Sequence, residues 1–321
     1  MRGGGTWGMS QASYTNLQLP ISHCFSSLYL YVYISVYLCV SVSLLKRFIV
    51  PYPCKTVKMG GKIDCYLDIA SLYSYLAYLD LLRNRPILAS HGVTVEFHPT
   101  FLGALNQATG NKPPWTLPAK AAHGPFDAAR SIARQGTYPN GSPLNITFPE
   151  NLFINGKTIL PLRALHCIKS KFPPETLDQT LLYLFHIFWS PPNLNLTVPE
   201  NLKSTLLAVP EGFSGPTAND EKKKKLFSAE QVEEIMKGAQ AEEFKGKLKK
   251  TTDEALERGA YGAPWIWATN DKGEGEPFFG SDRFHFVYKH LGLPYRDVEV
   301  LANGDDPKWG KLWRKENGAK L

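Results

Sequence analysis

The stretch 64-DCYLDIASLYSYLAYL-79 decides how the rest of the chain is read. A short apolar run ends at Asp68, and beyond Ser71-Leu72-Tyr73-Ser74 the residues Leu76, Leu79, Leu82 and Arg83 recur on a helical period. Ser71 therefore stands at the mouth of a helix, where a side-chain oxygen can accept an orphan backbone N–H of the first turn. Its spacing to Ser74 copies a C-x-x-C redox pair without the sulfur. Three roles fit a serine there. It is a plain N-cap, or a hydrolytic nucleophile, or a donor to a thiolate that a ligand brings to the positive end of the helix dipole. The nucleophile needs a nearby base and usually a G-x-S-x-G turn, and neither is visible.

Working outward, 62-KIDCYLDI-69 and 93-VTVEFHP-99 read as strands flanking that helix, a βαβ unit with a right-handed crossover. Near the other end, 265-WIWAT-269 and 277-PFFG-280 flank the turn-rich Asn270-Asp271-Lys272-Gly273, which predicts a hairpin. Ser281-Asp282 are expected to cap a further helix running to about Leu291. The order βαβ…ββα is that of a thioredoxin-like α/β core. Between its halves, Leu160–Ser170, Thr176–Trp189 and Ala229–Gly259 carry long helical patterns with no convincing strand. The expected organisation is a thioredoxin-like domain from residues 59–99 and 259–301, an inserted all-helical domain over 100–258, and a tail over 302–321. The lysine run in 211-EGFSGPTANDEKKKK-225 reads as a solvated loop or helix entry.

A chain of 321 residues, 43% hydrophobic and 20% charged, has ordinary globular composition and can bury one large core or two small ones. The net charge of +7 says little about a polyanion partner, because Arg2, Lys46, Arg47, Lys55 and Lys58 precede Met59 in a segment without Asp or Glu, leaving only +2 for the rest. A nucleic-acid partner is not expected. Only Cys65 and Cys167 lie beyond that leader, so no metal spacing or disulfide framework can be drawn, and no metal cofactor is expected. Cys65, inside a strand, reads as a core residue. Residues 25–45 are uncharged and precede Lys46-Arg47, which on length is an anchor candidate. From Leu28 to Ser43, however, Leu, Val or Ile alternates strictly with Tyr, Ser or Cys, as a translated simple-sequence repeat would give. Residues 1–58 are accordingly read as an extension outside the fold, with Met59-Gly60-Gly61 as the natural start and a membrane anchor as the alternative.

Three distant motifs bear on Ser71. Gly262-Ala263-Pro264 leads directly into a strand, where a cis X-Pro bond is expected to turn the Ala263 backbone toward an extended peptide ligand. In 278-FFGSDRF-284, Ser281 and Asp282 offer backbone N–H groups for a carboxylate and an acid for an ammonium. In 109-TGNKPPWTLPAK-120, Asn111 and Lys112 stand on a Pro-rich loop able to close over a ligand.

Together, 68-DIASLYSYLA-77, 110-GNKPP-114, 248-LKKTTDEALERGAYGAP-264 and 279-FGSDR-283 resemble the kappa-class glutathione S-transferases, over about residues 62–301 and in that family's order. That family shares its fold with DsbA-type oxidoreductases and 2-hydroxychromene-2-carboxylate isomerases. The resemblance implies a DsbA-like fold, glutathione as co-substrate, a small hydrophobic electrophile or peroxide as second substrate, and a homodimer. It also implies that Ser71 activates the thiol and that Leu72, Tyr73, Asn111, Lys112, Ala263, Pro264, Ser281 and Asp282 line the glutathione site. The chain departs from the family in carrying Leu72 for a usual proline and Tyr75 for a common tryptophan. A glutathione-dependent isomerase and a non-catalytic glutathione-binding or chaperone-like protein are the alternative functions. The terminal Ala319-Lys320-Leu321 matches the receptor-read peroxisomal address, with cytosol or mitochondrion as alternatives.

Overall fold

The computed structural model of the protein describes residues 60–296. The leader with its candidate anchor, Met59, the tail from residue 302 and the terminal tripeptide lie outside the described residues. Among the described residues, no helix is long and apolar enough to cross a membrane.

Strand β1 (Gly61–Leu67) lies at the centre of a four-stranded sheet. It pairs in parallel with β2 (Val93–Pro99) and antiparallel with β3 (Trp265–Asn270), whose other edge holds β4 (Gly275–Phe279). Helix α1 (Leu72–Ser90) makes the crossover from β1 to β2, as the apolar period predicts. Helices α2 (Leu102–Thr109), α3 (Pro118–Gln135), the single turn α4 (Leu152–Asn155), α5 (Ile159–Lys171), α6 (Pro174–Trp189), α7 (Pro199–Ala208), α8 (Ala229–Gln240) and α9 (Glu242–Glu257) follow before β3. After the hairpin comes α10 (Phe284–His290). This is a thioredoxin-like α/β fold split by a long helical insertion.

Both faces of β1 are covered, so every residue from Ile63 to Leu67 is buried, Asp64 included. Ile63, Cys65 and Leu67 face a core shared with Leu76 and Leu79 of α1, Ile266 and Ala268 of β3, and Leu181, Phe185 and Phe188 of α6. Cys65 is a buried free thiol within it, as expected of a core residue. Tyr66 faces the other way and packs with Leu105 of α2, Ala255 of α9 and Trp265 of β3. Because sheet and helices cover it on opposite sides, the first half of α1 is buried nearly all round. Tyr75 stacks on Phe185 with ring centroids 4.8 Å apart, and Tyr78 meets Phe97 edge-on at 4.5 Å.

Three expectations need correction. Strand β1 stops at Leu67, before Asp68 and Ile69, because Asp68 turns its carbonyl to the backbone N–H of Ser71 at 3.0 Å and so leaves the ladder. The long helix expected over Ala229–Gly259 is two helices, with Ala241 extended between them. The break lets both pack on α5: a Cβ on Gly238 would come within 2.5 Å of Cys167 Sγ, and Phe244 beyond the break is also buried. Ser281 and Asp282 do not cap α10, which starts at Phe284 with Arg283 in the N-cap position and no side-chain cap. The Ser281 carbonyl is held by Arg134 of α3, and Asp282 is paired with Arg283. The lysine run is tied down as a surface loop, Lys223 to Asp220 at 2.9 Å and Lys224 to Glu211 at 3.1 Å.

An ion cluster closes the solvent end of β1. Asp64 bonds His98 at 2.8 Å, Lys62 at 2.8 Å and Arg258 at 3.1 Å, while Glu96 bonds Lys62 and Lys169, each at 2.7 Å. Burial pushes both carboxyls up, but these hydrogen bonds outweigh it: Asp64 lies well below the usual range and Glu96 is pulled down to about 2. Unfolded carboxyls titrate near pH 4, so the stability these groups contribute is complete above about pH 4 and is lost as pH falls toward about 2. Urea titrations at a series of pH values are expected to show a falling midpoint over that window. Asp64→Asn should flatten the fall while lowering the midpoint at pH 7.

Candidate active site at the mouth of helix α1

The turn Asp68-Ile69-Ala70 carries the chain from β1 into α1 and sets Ser71 at the N-cap in an extended conformation (φ −99°, ψ 114°). Ser71 Oγ accepts from the Ser74 backbone N–H at 3.1 Å, so the plain capping role is present. The same hydroxyl donates to the Ala263 carbonyl at 2.8 Å, across 192 residues of sequence. The Ala263–Pro264 bond is cis, as expected from its place before a strand. Gly280 N–H donates to the Pro264 carbonyl at 3.3 Å, which brings the segment preceding Ser281 alongside. The first turn of α1 holds no acidic residue to offset its positive end.

Asn111 follows Gly110, whose positive φ of 71° terminates α2 as a left-handed glycine can. Its Nδ2 donates to the Tyr261 carbonyl at 2.7 Å, and its Oδ1 accepts from the Lys112 N–H at 2.9 Å. The loop is therefore already pinned to the segment before the cis-proline. Lys112 is exposed, and makes no ion pair among the described residues. Leu72 is buried at the first helical position, where it fills space without the rigidity that a proline gives.

Tyr73 donates its hydroxyl to Asp127 of α3 at 2.8 Å. Burial, that hydrogen bond and the charges of Asp127 and Asp282 all push its pKa up, so it is a phenol and not a phenolate base near neutrality. Ser281 is buried, and its carbonyl accepts from Arg134 at 2.8 Å, while the same guanidinium nitrogen holds Asp80 of α1 at 2.7 Å. The structure thus links Ser71 directly to Ala263 before the cis-proline and joins Asn111 through Tyr261, while Tyr73 is turned to Asp127 and Asp282 is exposed and paired with Arg283.

Sequence reasoning missed four side chains that hold this arrangement: Asp68, Asp127, Arg134 and Thr158. Asp127 and Arg134 stand seven residues apart, on one face of α3, a spacing that the sequence does show. Asp68 is an acid sealed between Leu67 and Ile69 in an apolar run, and that was the available signal. Burial pushes its carboxyl up to about 6, against hydrogen bonds from Thr158 and the backbone of Ala70 and Leu102.

Asp64, Glu96 and His98 lie close enough together to suggest a metal site. Lys62, Lys169 and Arg258 already occupy their oxygens, which makes the cluster an internal ion network.

No family model matches the chain. Glutathione S-transferase kappa 1 of Caenorhabditis elegans is 28% identical over 238 residues, covering 73% of this chain and 92% of that protein. Human glutathione S-transferase kappa 1 is 26% identical over 233 residues, covering 72% and 90%. Among solved structures, a 2-hydroxychromene-2-carboxylate isomerase superposes with a TM-score of 0.50 at 18% identity, over 72% of this chain and 94% of that one, a likeness of fold. In sequence the chain is thus similar to kappa-class glutathione S-transferases, and in fold to a 2-hydroxychromene-2-carboxylate isomerase.

Proposed function

We propose that the protein binds glutathione at the mouth of α1 and uses Ser71 to hold its sulfur as thiolate for attack on a small hydrophobic electrophile. The observation that carries this is the Ser71 hydroxyl 2.8 Å from the Ala263 carbonyl, which gathers a helix N-terminus, a hydroxyl donor and a peptide-pairing backbone at one point.

A free thiol of pKa near 8.5 is only a few per cent ionised at pH 7, and lowering it by about two units needs about 2.7 kcal/mol of differential stabilisation. One hydrogen bond to an ionised acceptor supplies about 1.5–3 kcal/mol and a helix N-terminus up to about 1 more, so the two together suffice. The Ser71 hydroxyl donates to the Ala263 carbonyl in the free protein. A thiolate is charged and the stronger acceptor, so the hydroxyl turns toward it, and the Ala263 carbonyl is released to pair with the peptide backbone of the tripeptide. The thiol proton leaves to water, the sulfur forms a bond to the electrophilic carbon, and the leaving group departs with its electron pair.

Asn111 and Lys112 close over the ligand from one side, and Ser281 and Asp282 take the γ-glutamyl end from the other. Asp282→Asn removes the carboxylate opposite the ligand ammonium. It is expected to raise the glutathione KM several-fold and to leave the KM of the electrophile alone, as measured by initial rates with each substrate varied in turn.

The direct test follows conjugate formation from glutathione and 1-chloro-2,4-dinitrobenzene. Conjugation that saturates in glutathione supports the proposal. Turnover of a hydroxychromene carboxylate without conjugation would replace it with isomerisation, and glutathione binding without a lowered thiol pKa would leave only a binding protein.

A further inference from the structure

Asp68 is fully buried, three residues before Ser71, and its carboxylate joins three segments of the chain. Oδ1 accepts from the Ala70 N–H at 2.9 Å and from the Thr158 hydroxyl at 2.6 Å, and Oδ2 accepts from the Leu102 N–H at 2.8 Å. Ala70 belongs to the turn that presents Ser71. Leu102 is the first residue of α2, whose far end delivers Asn111, and Thr158 precedes the first residue of α5. Phe101, the N-cap of α2, offers no side-chain acceptor of its own, so the cap of that helix is supplied by Asp68 from the end of β1.

We propose that Asp68 is a positioning residue which locks the Ser71 turn and the Asn111 arm into one frame, so that the sulfur and the peptide of glutathione are held in register. The inference rests on the glutathione reading of Ser71 and Asn111. Asp68 touches no substrate. Its leverage comes from helix length: α2 has eight residues and spans about 12 Å at 1.5 Å per residue, so a small swing at Leu102 displaces Asn111 by an ångström or more. Misplacement of that size is enough to cost a large factor in a reaction that depends on orientation.

Asparagine keeps one acceptor at this position but sets an N–H donor against the Leu102 N–H, so Asp68→Asn uncaps α2 while nearly conserving volume. Leu102→Pro removes the same bond from the other side. Proline suits the first helical position, and the extended Phe101 before it (φ −88°, ψ 104°) tolerates a following proline. In the full-length chain each variant is expected to raise the glutathione KM about tenfold, to leave the electrophile KM within twofold, and to keep the parent pH profile of kcat. Asn111→Ala should raise the glutathione KM by itself but add little in the Asp68→Asn background, since both act on one contact. Should Asp68→Asn fail to fold, Leu102→Pro carries the same comparison. A parent-like glutathione KM in folded Leu102→Pro, or full additivity with Asn111→Ala, overturns the positioning role alone. A parent-like KM in Asn111→Ala overturns the site assignment beneath it.

Discussion

Replacing Ser71 by alanine is expected to lower kcat/KM for glutathione conjugation about 25-fold at pH 7 and by less than twofold at pH 9. The first figure is the ratio of thiolate fractions for a thiol near pKa 6.5 and one near the free value of 8.5, about 76% against about 3%. The second follows because above pH 9 the thiol ionises without help. Alanine also removes the cap on the Ser74 N–H, which costs about 1 kcal/mol of stability, and it leaves the Ala263 carbonyl without its partner. Those structural losses act alike at both pH values. The pH dependence of the ratio is therefore the signature of thiol activation. Stopped-flow absorbance of the bound thiolate checks it independently, with the titration midpoint moving up by about two units in the variant. A rate deficit of equal size at pH 7 and pH 9, with an unmoved midpoint, would show Ser71 to be a cap and nothing more.

The features legible in the sequence are those set by near neighbours. The helix start at Ser71 is written in a serine that follows an apolar strand, and the hairpin in Asn270-Asp271-Lys272-Gly273, where Asn270 Oδ1 accepts from the N–H groups of Lys272 and Glu274. The features that were not legible are set by partners far along the chain. Nothing near Asp68 announces that its oxygens will meet Leu102 and Thr158, 34 and 90 residues on. The same holds for Ser281, read as a helix cap from its local pattern, because the grip of Arg134 on its carbonyl comes from 147 residues away. The break at Ala241 has only Gly238, in the last turn of α8, as a local signal, since the following Gln-Ala-Glu-Glu is a good helical sequence. It arises where α8 and α9 must both lie against α5. The residues proposed to face the ligand thus sit on quotable motifs, whereas those that hold the motifs in place are set by partners far along the chain.

Trp189 shows how far that support reaches, and Trp189→Ala should produce the largest loss of stability of the substitutions considered. The side chain ends α6 in full burial, edge-on to Phe148 at 5.6 Å and to Phe188 at 5.3 Å. Its indole N–H donates to the Ile69 carbonyl at 2.8 Å, within the turn that presents Ser71. Removing the ring costs about 3–5 kcal/mol for lost contacts and cavity, and orphaning a buried carbonyl costs about 1–3 more. With a urea m-value of about 3 kcal/mol/M for a domain of this size, the unfolding midpoint should fall by about 1.5–2.5 M. Trp189→Phe keeps one aromatic ring in the site and removes the N–H together with part of the indole's volume. It should cost about 1–3 kcal/mol while loosening the Ile69–Ser71 turn, so the thiol activation at pH 7 weakens in a protein that remains folded. Equal midpoints for the parent and Trp189→Phe, with an unchanged thiol pKa, would mean that the Ile69 carbonyl finds another donor and that the turn is held without the indole.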